Sequence, residues 1–253
     1  MNNKMLLENK VAVISGAASK RGIGLATAQL FAEHGAAVAL LDLEKMAPAE
    51  AAKAIGPQHR GYICDVTNKK QCEEVAQQVI KDFGAVDILV NNAGITQPIR
   101  IMGIQPENFD AVINVNLRGM LYLSQAFIPH MISRGTGSIM CTGSVSGQAG
   151  GGWFGGPHYS AAKGGMMALA KDMAKELAPK GIRVNAVSPG MVDTDIRGDR
   201  MTQEVFNKIL SSIPMGRIAQ PREIAGVFLF LASDLSSFIT GAVIDVNGGN
   251  FIH

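Results

Sequence analysis

The sequence predicts an α/β fold built on one doubly wound parallel sheet. Three observations carry that prediction. Short apolar runs alternate with segments of helical pattern. The runs are continuous rather than alternating in polarity, as in strands covered on both faces. Every chemically distinctive motif falls at the C-terminal end of such a run, where open α/β sheets bind ligands.

The elements follow in order. VAVISG (11–16) reads as a buried strand and residues 24–34 as the helix after it. AAVALLD (36–42) is the second strand, followed by an Ala-rich helical stretch at 44–54. GYICDV (61–66) is the third strand, and 68–82 a charged amphipathic helix. VDILVNNAG (86–94) is a fourth strand running into a loop, before a long helix at about 107–133. GSIMCTGS (137–144) leads into a Gly-rich loop, a helix at about 158–178 and the strand IRVNAVSPG (182–190). A mixed polar segment spans 191–213; a helix at about 221–232 and the strand AVIDVNG (242–248) follow. Repeated strand–helix units imply right-handed crossovers. Composition does not break anywhere, so residues 1–253 read as one domain.

Composition excludes several classes. With 47% hydrophobic residues the chain is too apolar for disorder. Lys+Arg 23 against Asp+Glu 21, with no dense basic run, leaves no footprint for nucleic acid. No apolar stretch is long enough for a membrane span. Three cysteines, Cys64, Cys72 and Cys141, lie in neither a metal nor a redox spacing. They suit a reducing, cytoplasmic compartment. Glycine is in excess: 29, where ordinary usage of about 7% gives about 18.

Part of that excess sits in Gly16-Ala-Ala-Ser-Lys-Arg21-Gly22-Ile23-Gly24, between the first strand and its helix. Glycines there let the backbone approach a pyrophosphate, and the helix start supplies unpaired N–H groups. A plain Gly-rich turn is the alternative. Asp42 ends the second strand, where a carboxylate accepts hydrogen bonds from ribose hydroxyls and repels a 2′-phosphate. This favours NAD(H) over NADP(H). Arg21 argues the other way, since a basic residue beside the loop can pair with that phosphate. Asp65 and Val66, ending the third strand, are candidates for the adenine edge.

Tyr159 and Lys163 stand four residues apart at the start of a helix, on one face. A phenol has a pKa near 10. A nearby ammonium lowers it, so the pair can exchange a proton with a substrate oxygen. Ser144 lies upstream in TGSVSG, and Asn116 in NVNL. Asn92, Ala93 and Gly94 close the fourth strand.

Taken together these motifs resemble the short-chain dehydrogenase/reductase (SDR) family. The resemblance spans nearly the whole chain, from the glycine loop through NNAG, NVNL, YSAAK and SPG to ITGAVIDVNGG. It implies a Rossmann-like fold. By resemblance Tyr159 is the general acid/base, Lys163 binds the nicotinamide ribose, Ser144 holds the substrate oxygen and Asn116 holds a relay water. Asn92 stabilises the central sheet beside the cofactor. Pro189, Gly190, Val192 and Thr194 match the segment against the nicotinamide. Two departures stand out. The glycine loop carries two residues more than the family's TGxxxGIG. The family's usual Ser-to-Tyr spacing lands on Ser146, whereas the local SxxG pattern and the strand end point to Ser144.

The segment QAGGGWFGGPH (148–158) joins Ser144 to Tyr159, which makes Trp153 and Phe154 candidates for an apolar substrate wall. His158 reads as structural. Arg100 is a candidate for the pocket rim. Residues 191–213, with Asp193, Asp195, Arg197, Asp199 and Arg200, correspond to the family's variable lid; a solvated loop explains the charges equally well. The expectation is an NAD(H)-dependent oxidoreductase interconverting a secondary alcohol and a ketone. A small polyol is favoured as substrate, with a 3-oxoacyl-[acyl-carrier-protein] reductase second. A non-catalytic nucleotide-binding scaffold is the alternative of another class. No metal, nucleic acid or membrane partner is expected. By resemblance the chain forms a homotetramer.

Overall fold

The computed structural model describes residues 5–151, 154–196 and 202–252. Its strands are β1 (Val11–Ser15), β2 (Ala37–Asp42), β3 (Arg60–Ile63), β4 (Ile88–Asn91), β5 (Gly137–Thr142), β6 (Ile182–Pro189) and β7 (Val243–Val246). They form one sheet in the order β3-β2-β1-β4-β5-β6-β7, with every pairing parallel. The chain winds outward from β1 in one direction, then restarts at β4 on the other side of β1. The crevice at that reversal is where such sheets bind ligands.

The helices are α1 (Ile23–Glu33), α2 (Pro48–Ile55), α3 (Lys69–Phe83), α4 (Pro106–Ile113), α5 (Gly119–Arg134), α6 (Val145–Ala149), α7 (Pro157–Leu177), α8 (Gln203–Ser211) and α9 (Pro221–Ala232). Strand side chains alternate between two faces, so a continuous apolar run feeds two cores. Val11, Val13, Leu89 and Ile139 pack with α3, α5 and α7. Ala12, Ile14, Ile88 and Val90 pack with α1 and α9, where Phe31 and Phe228 are wholly buried. Truncating either Phe to Ala would cost about 3–5 kcal/mol.

The expected elements are present, with five differences. The helix expected at 44–54 breaks at Ala47, whose φ is +50°, because Pro48 disfavours helical geometry in the residue before it. The strand expected at 61–66 leaves the sheet after Ile63. Asp65 then turns back to accept from Thr67 N–H at 2.9 Å and Thr67 Oγ1 at 2.8 Å. The long helix at 107–133 contains a π-turn at Asn114–Arg118, between α4 and α5. A short helix, α6, occupies the start of the Gly-rich loop, with Ser144 as its N-cap. Finally, α8 lies within the polar segment at 191–213.

Two histidines support the sheet from outside the crevice. His59 Nδ1 accepts from Val38 N–H and His130 Nε2 from Val86 N–H, both at 3.2 Å. An imidazole nitrogen that accepts is unprotonated, and burial holds both rings below the ordinary histidine pKa. The unfolded chain therefore takes up protons first as pH falls through about 6.5. Stability is expected to be fully present above that pH and to fall below it. Urea unfolding at pH 7.5 and 5.5 checks this. The difference should shrink in the His59→Gln/His130→Gln variant, whose amide oxygens still accept.

Candidate active site

The crevice is a cleft of about 730 Å³ running across the C-terminal ends of the strands. Its position follows from how closely the first and fourth strand ends approach. Gly16 has φ +62°, and a Cβ there would lie 2.8 Å from Ala93 Cα. A Cβ on Gly24 would lie 2.7 Å from Asn92 Nδ2 and 2.9 Å from Ala17 Cα. Asn92 joins three segments. Its Nδ2 donates to Ser15 O at 3.1 Å and Gly16 O at 3.0 Å, while Oδ1 accepts from Thr142 Oγ1 at 3.0 Å. Ser15 Oγ adds contacts to the N–H groups of Asn92 and Ala93 at 3.0 and 3.1 Å.

Helix α1 starts at Gly22 with no side-chain cap. Its first-turn N–H groups are thereby left for an anion. Asp42 lines the same end of the cleft; its Oδ2 accepts from Ala18 N–H at 2.9 Å. Asp65 and Val66 line it further along, beyond Cys64. This is the donor set a dinucleotide needs: uncapped N–H groups and close-approach glycines for a pyrophosphate, and a carboxylate for ribose hydroxyls. The residues fit a nicotinamide dinucleotide.

Tyr159, Lys163, Ser144 and Asn116 converge at the other end, with Thr142 beneath them. Lys163 is 3% exposed, and its Nζ donates to Thr142 O at 2.7 Å. That Nζ lies 5.7 Å from the centre of the Tyr159 ring. Burial lowers the Lys163 ammonium to a pKa of about 8. Burial also pushes the Tyr159 phenol up to about 12, and a hydrogen bond with Ser144 pulls it part of the way back. The spacing of Tyr159 and Lys163 predicts a phenol lowered by the ammonium; instead burial raises it, and the lowering influence on it is Ser144, not Lys163. It is Ser144 whose hydroxyl meets Tyr159. Ser146 contributes its backbone N–H to Ser144 Oγ, at 3.1 Å.

The π-turn sets Asn116. Its side chain points inward, with Nδ2 donating to Ile95 O and Val112 O, each at 2.9 Å. Oδ1 is buried and has no hydrogen-bond partner among the described residues. A Cβ on Gly94 would lie 2.6 Å from that Oδ1 and 3.4 Å from Lys163 Nζ, so glycine leaves both groups facing one space. The amide thus holds two backbone carbonyls, and its oxygen is available to a small polar group.

Pro189, Gly190, Val192 and Thr194 line the cleft after β6. Phe154 also lines it, and its carbonyl accepts from Thr96 Oγ1 at 2.5 Å. Trp153, Arg197, Asp199 and Arg200 lie outside the described residues. Three residues singled out in the sequence stand away from the wall. Gly24 packs behind it against Asn92. Arg21 is paired instead with Asp193 and with Asp195, which itself lines the cleft. Arg100 does not reach the cleft. His158 is buried, with Nε2 3.3 Å from Gln97 Oε1, and fastens the start of α7. Sequence reading missed the wall given by Ile95, Met191, Ile209 and Ile213, and the polar Ser212 and Asn250. The apolar spacing of α8 was the available signal for part of it.

Comparison with known proteins identifies the family of the chain. A family model described as Enoyl-(Acyl carrier protein) reductase matches residues 16–250. An uncharacterized short-chain type dehydrogenase/reductase of Sinorhizobium fredii is 53% identical over 253 residues, covering 98% of this chain and 100% of that protein. A 3-oxoacyl-[acyl-carrier-protein] reductase of Thermotoga maritima is 43% identical, covering 97% of this chain and 99% of its own length. The crystal structure of a 3-ketoacyl-(acyl-carrier-protein) reductase from Brucella melitensis complexed with NADH superposes with TM-score 0.89 at 35% identity. It covers 97% of this chain and 100% of that one.

Asn92→Ala removes three hydrogen bonds at the strand junction. It is expected to cost about 2–4 kcal/mol in denaturant unfolding and to weaken dinucleotide binding at the same time. Full stability with normal binding would contradict the joint's role.

Proposed function

The chain belongs to the short-chain dehydrogenase/reductase family, and from that premise we propose that it is an NADH-dependent ketone reductase acting on an extended 3-oxoacyl substrate. The observation that carries this reading is the apolar lining of Ile95, Phe154, Met191, Ile209 and Ile213 in the same cleft as the Tyr159–Ser144 pair. Burial raises the Tyr159 phenol to about 12, and a protonated phenol can donate to the substrate oxygen in the reductive direction. The small polyol favoured from sequence is set aside. Ile95, Phe154, Met191, Ile209 and Ile213 give its hydroxyls too few partners. They suit an acyl chain better, and the names of the Thermotoga and Brucella relatives support the same choice.

A nicotinamide held beside Tyr159, Lys163, Pro189 and Thr194 would supply the hydride that the carbonyl carbon takes up. Ser144 Oγ–H donates to the substrate oxygen and fixes its position. Tyr159 gives that oxygen its proton as the alcohol forms. Lys163, buried against Thr142 O, holds positive charge beside the phenol while a phenolate develops. Asn116 Oδ1 accepts from the group that returns a proton toward Lys163. Asp42 would meet the ribose hydroxyls and select NADH over NADPH. The proposal also includes a cytoplasmic homotetramer. Three free buried cysteines fit a reducing compartment. The half-buried edge strand β7, with Leu235 and Phe238 exposed before it, fits subunit contacts.

Three measurements test this reading. Tyr159→Phe should lower turnover of a 3-oxoacyl thioester by about 10²–10⁴-fold while leaving NADH binding intact. Unchanged turnover would remove Tyr159 from the proton step. Reduction should proceed at neutral pH, and oxidation of the matching alcohol should rise toward alkaline pH as the phenol near 12 begins to ionise. Wild type should bind NADH more tightly than NADPH, and Asp42→Ala should narrow the gap. A wild-type preference for NADPH refutes the role given to Asp42.

A further inference from the structure

Arg21 belongs to the glycine loop but not to the cleft wall. Its side chain crosses to the segment after β6, where Asp195 lines the cleft. There Arg21 Nη2 donates to Asp193 Oδ1 at 2.6 Å, and Nε lies 3.7 Å from Asp195 Oδ1. The Arg21 backbone N–H donates to Asp195 Oδ2 at 3.3 Å, and Ser19 Oγ donates to the same oxygen at 3.0 Å. Two carboxylates therefore face one guanidinium. On the loop's other flank, Ala18 N–H is bonded to Asp42. Arg21 sits between Ser19 and Gly22, which both line the cleft, yet its own side chain is engaged by Asp193 and Asp195.

We propose that Asp193 and Asp195 are cofactor-specificity residues, which act by holding Arg21 away from the position of a 2′-phosphate. The proposal rests on reading the cleft as a dinucleotide site. The side chains of Arg21 and Asp193 are 56% and 29% exposed, so their pairing contributes little to stability. Its effect lies in where it directs a cation. A guanidinium released from both carboxylates is a bidentate phosphate partner, which the point charge of Lys45 on the same cleft wall cannot replace. Asp42 and the Asp193–Asp195 pair then discriminate by separate routes: one repels the phosphate, the other withholds its partner.

The test is the ratio of NADPH to NADH dissociation constants, measured by fluorescence titration without substrate. Asp193→Asn/Asp195→Asn should shift the ratio toward NADPH by about tenfold. Adding Arg21→Ala should return it to the wild-type value. Unfolding midpoints should stay near wild type in both. A ratio within twofold of wild type in the double variant overturns the proposal. So does a gain that survives Arg21→Ala, which would reflect lost negative charge alone. A selective loss of NADPH affinity in Arg21→Ala by itself also overturns it, because Arg21 would already serve the phosphate. If wild type prefers NADPH but the ratio shifts and reverts as described, the role of Asp42 fails and this one stands.

Discussion

The cleft depends on one close approach, where the ends of β1 and β4 meet without side chains between them. Gly16 and Gly24 remove the atoms that would hold the two apart. Asn92 then spans the gap with one amide, whose donors and acceptor reach β1, the glycine loop and β5. Its partners are two backbone carbonyls and a hydroxyl in a partly buried setting, where a lost hydrogen bond is costly. The dinucleotide end and the catalytic end share it. Moving β4 relative to β1 shifts the loop that would hold a pyrophosphate and the strand end leading to Asn116 together.

A second constraint is dryness at the catalytic end. Tyr159 and Lys163 are both driven toward their neutral forms by burial, the phenol upward and the ammonium downward. Cys141, buried beneath Lys163, is likewise pushed up to about 12. Low polarity there strengthens every remaining hydrogen bond. Lys163 donating to Thr142 O and Ser144 meeting Tyr159 therefore matter more than the same contacts at a surface. Such a site resists creating isolated charge.

Most of the sheet was legible because strand burial writes itself into local sequence. VAVIS, AVALLD and IRVNAVSP need no knowledge of distant residues to be read. The convergence of Tyr159, Lys163, Ser144 and Asn116 came from order and spacing along the chain. What escaped was set by distant or subtle causes. Arg21 meets its partners more than 170 residues away, at Asp193 and Asp195. Gly24 carries a glycine pattern that marks close packing as readily as ligand contact. The π-turn has the same apolar periodicity as the helices around it. Helix α6 is a single short element containing a glycine, and its cap, Ser144, was noticed only for its hydroxyl.

The π-turn at Asn114–Arg118 has a consequence for how this helix can change. A π-turn inserts about one residue into an α-helix, and one residue is about 100° of rotation. The two halves of the helix therefore run on different phases, one set by Asn116 and the other by the buried stripe of Leu123, Phe127 and Met131. Deleting one residue would bring them into register, at the expense of one: either Asn116 swings off the cleft or the stripe turns from its core. The segment acts as a gear between the site and the sheet, and its length is the least negotiable dimension of the helix.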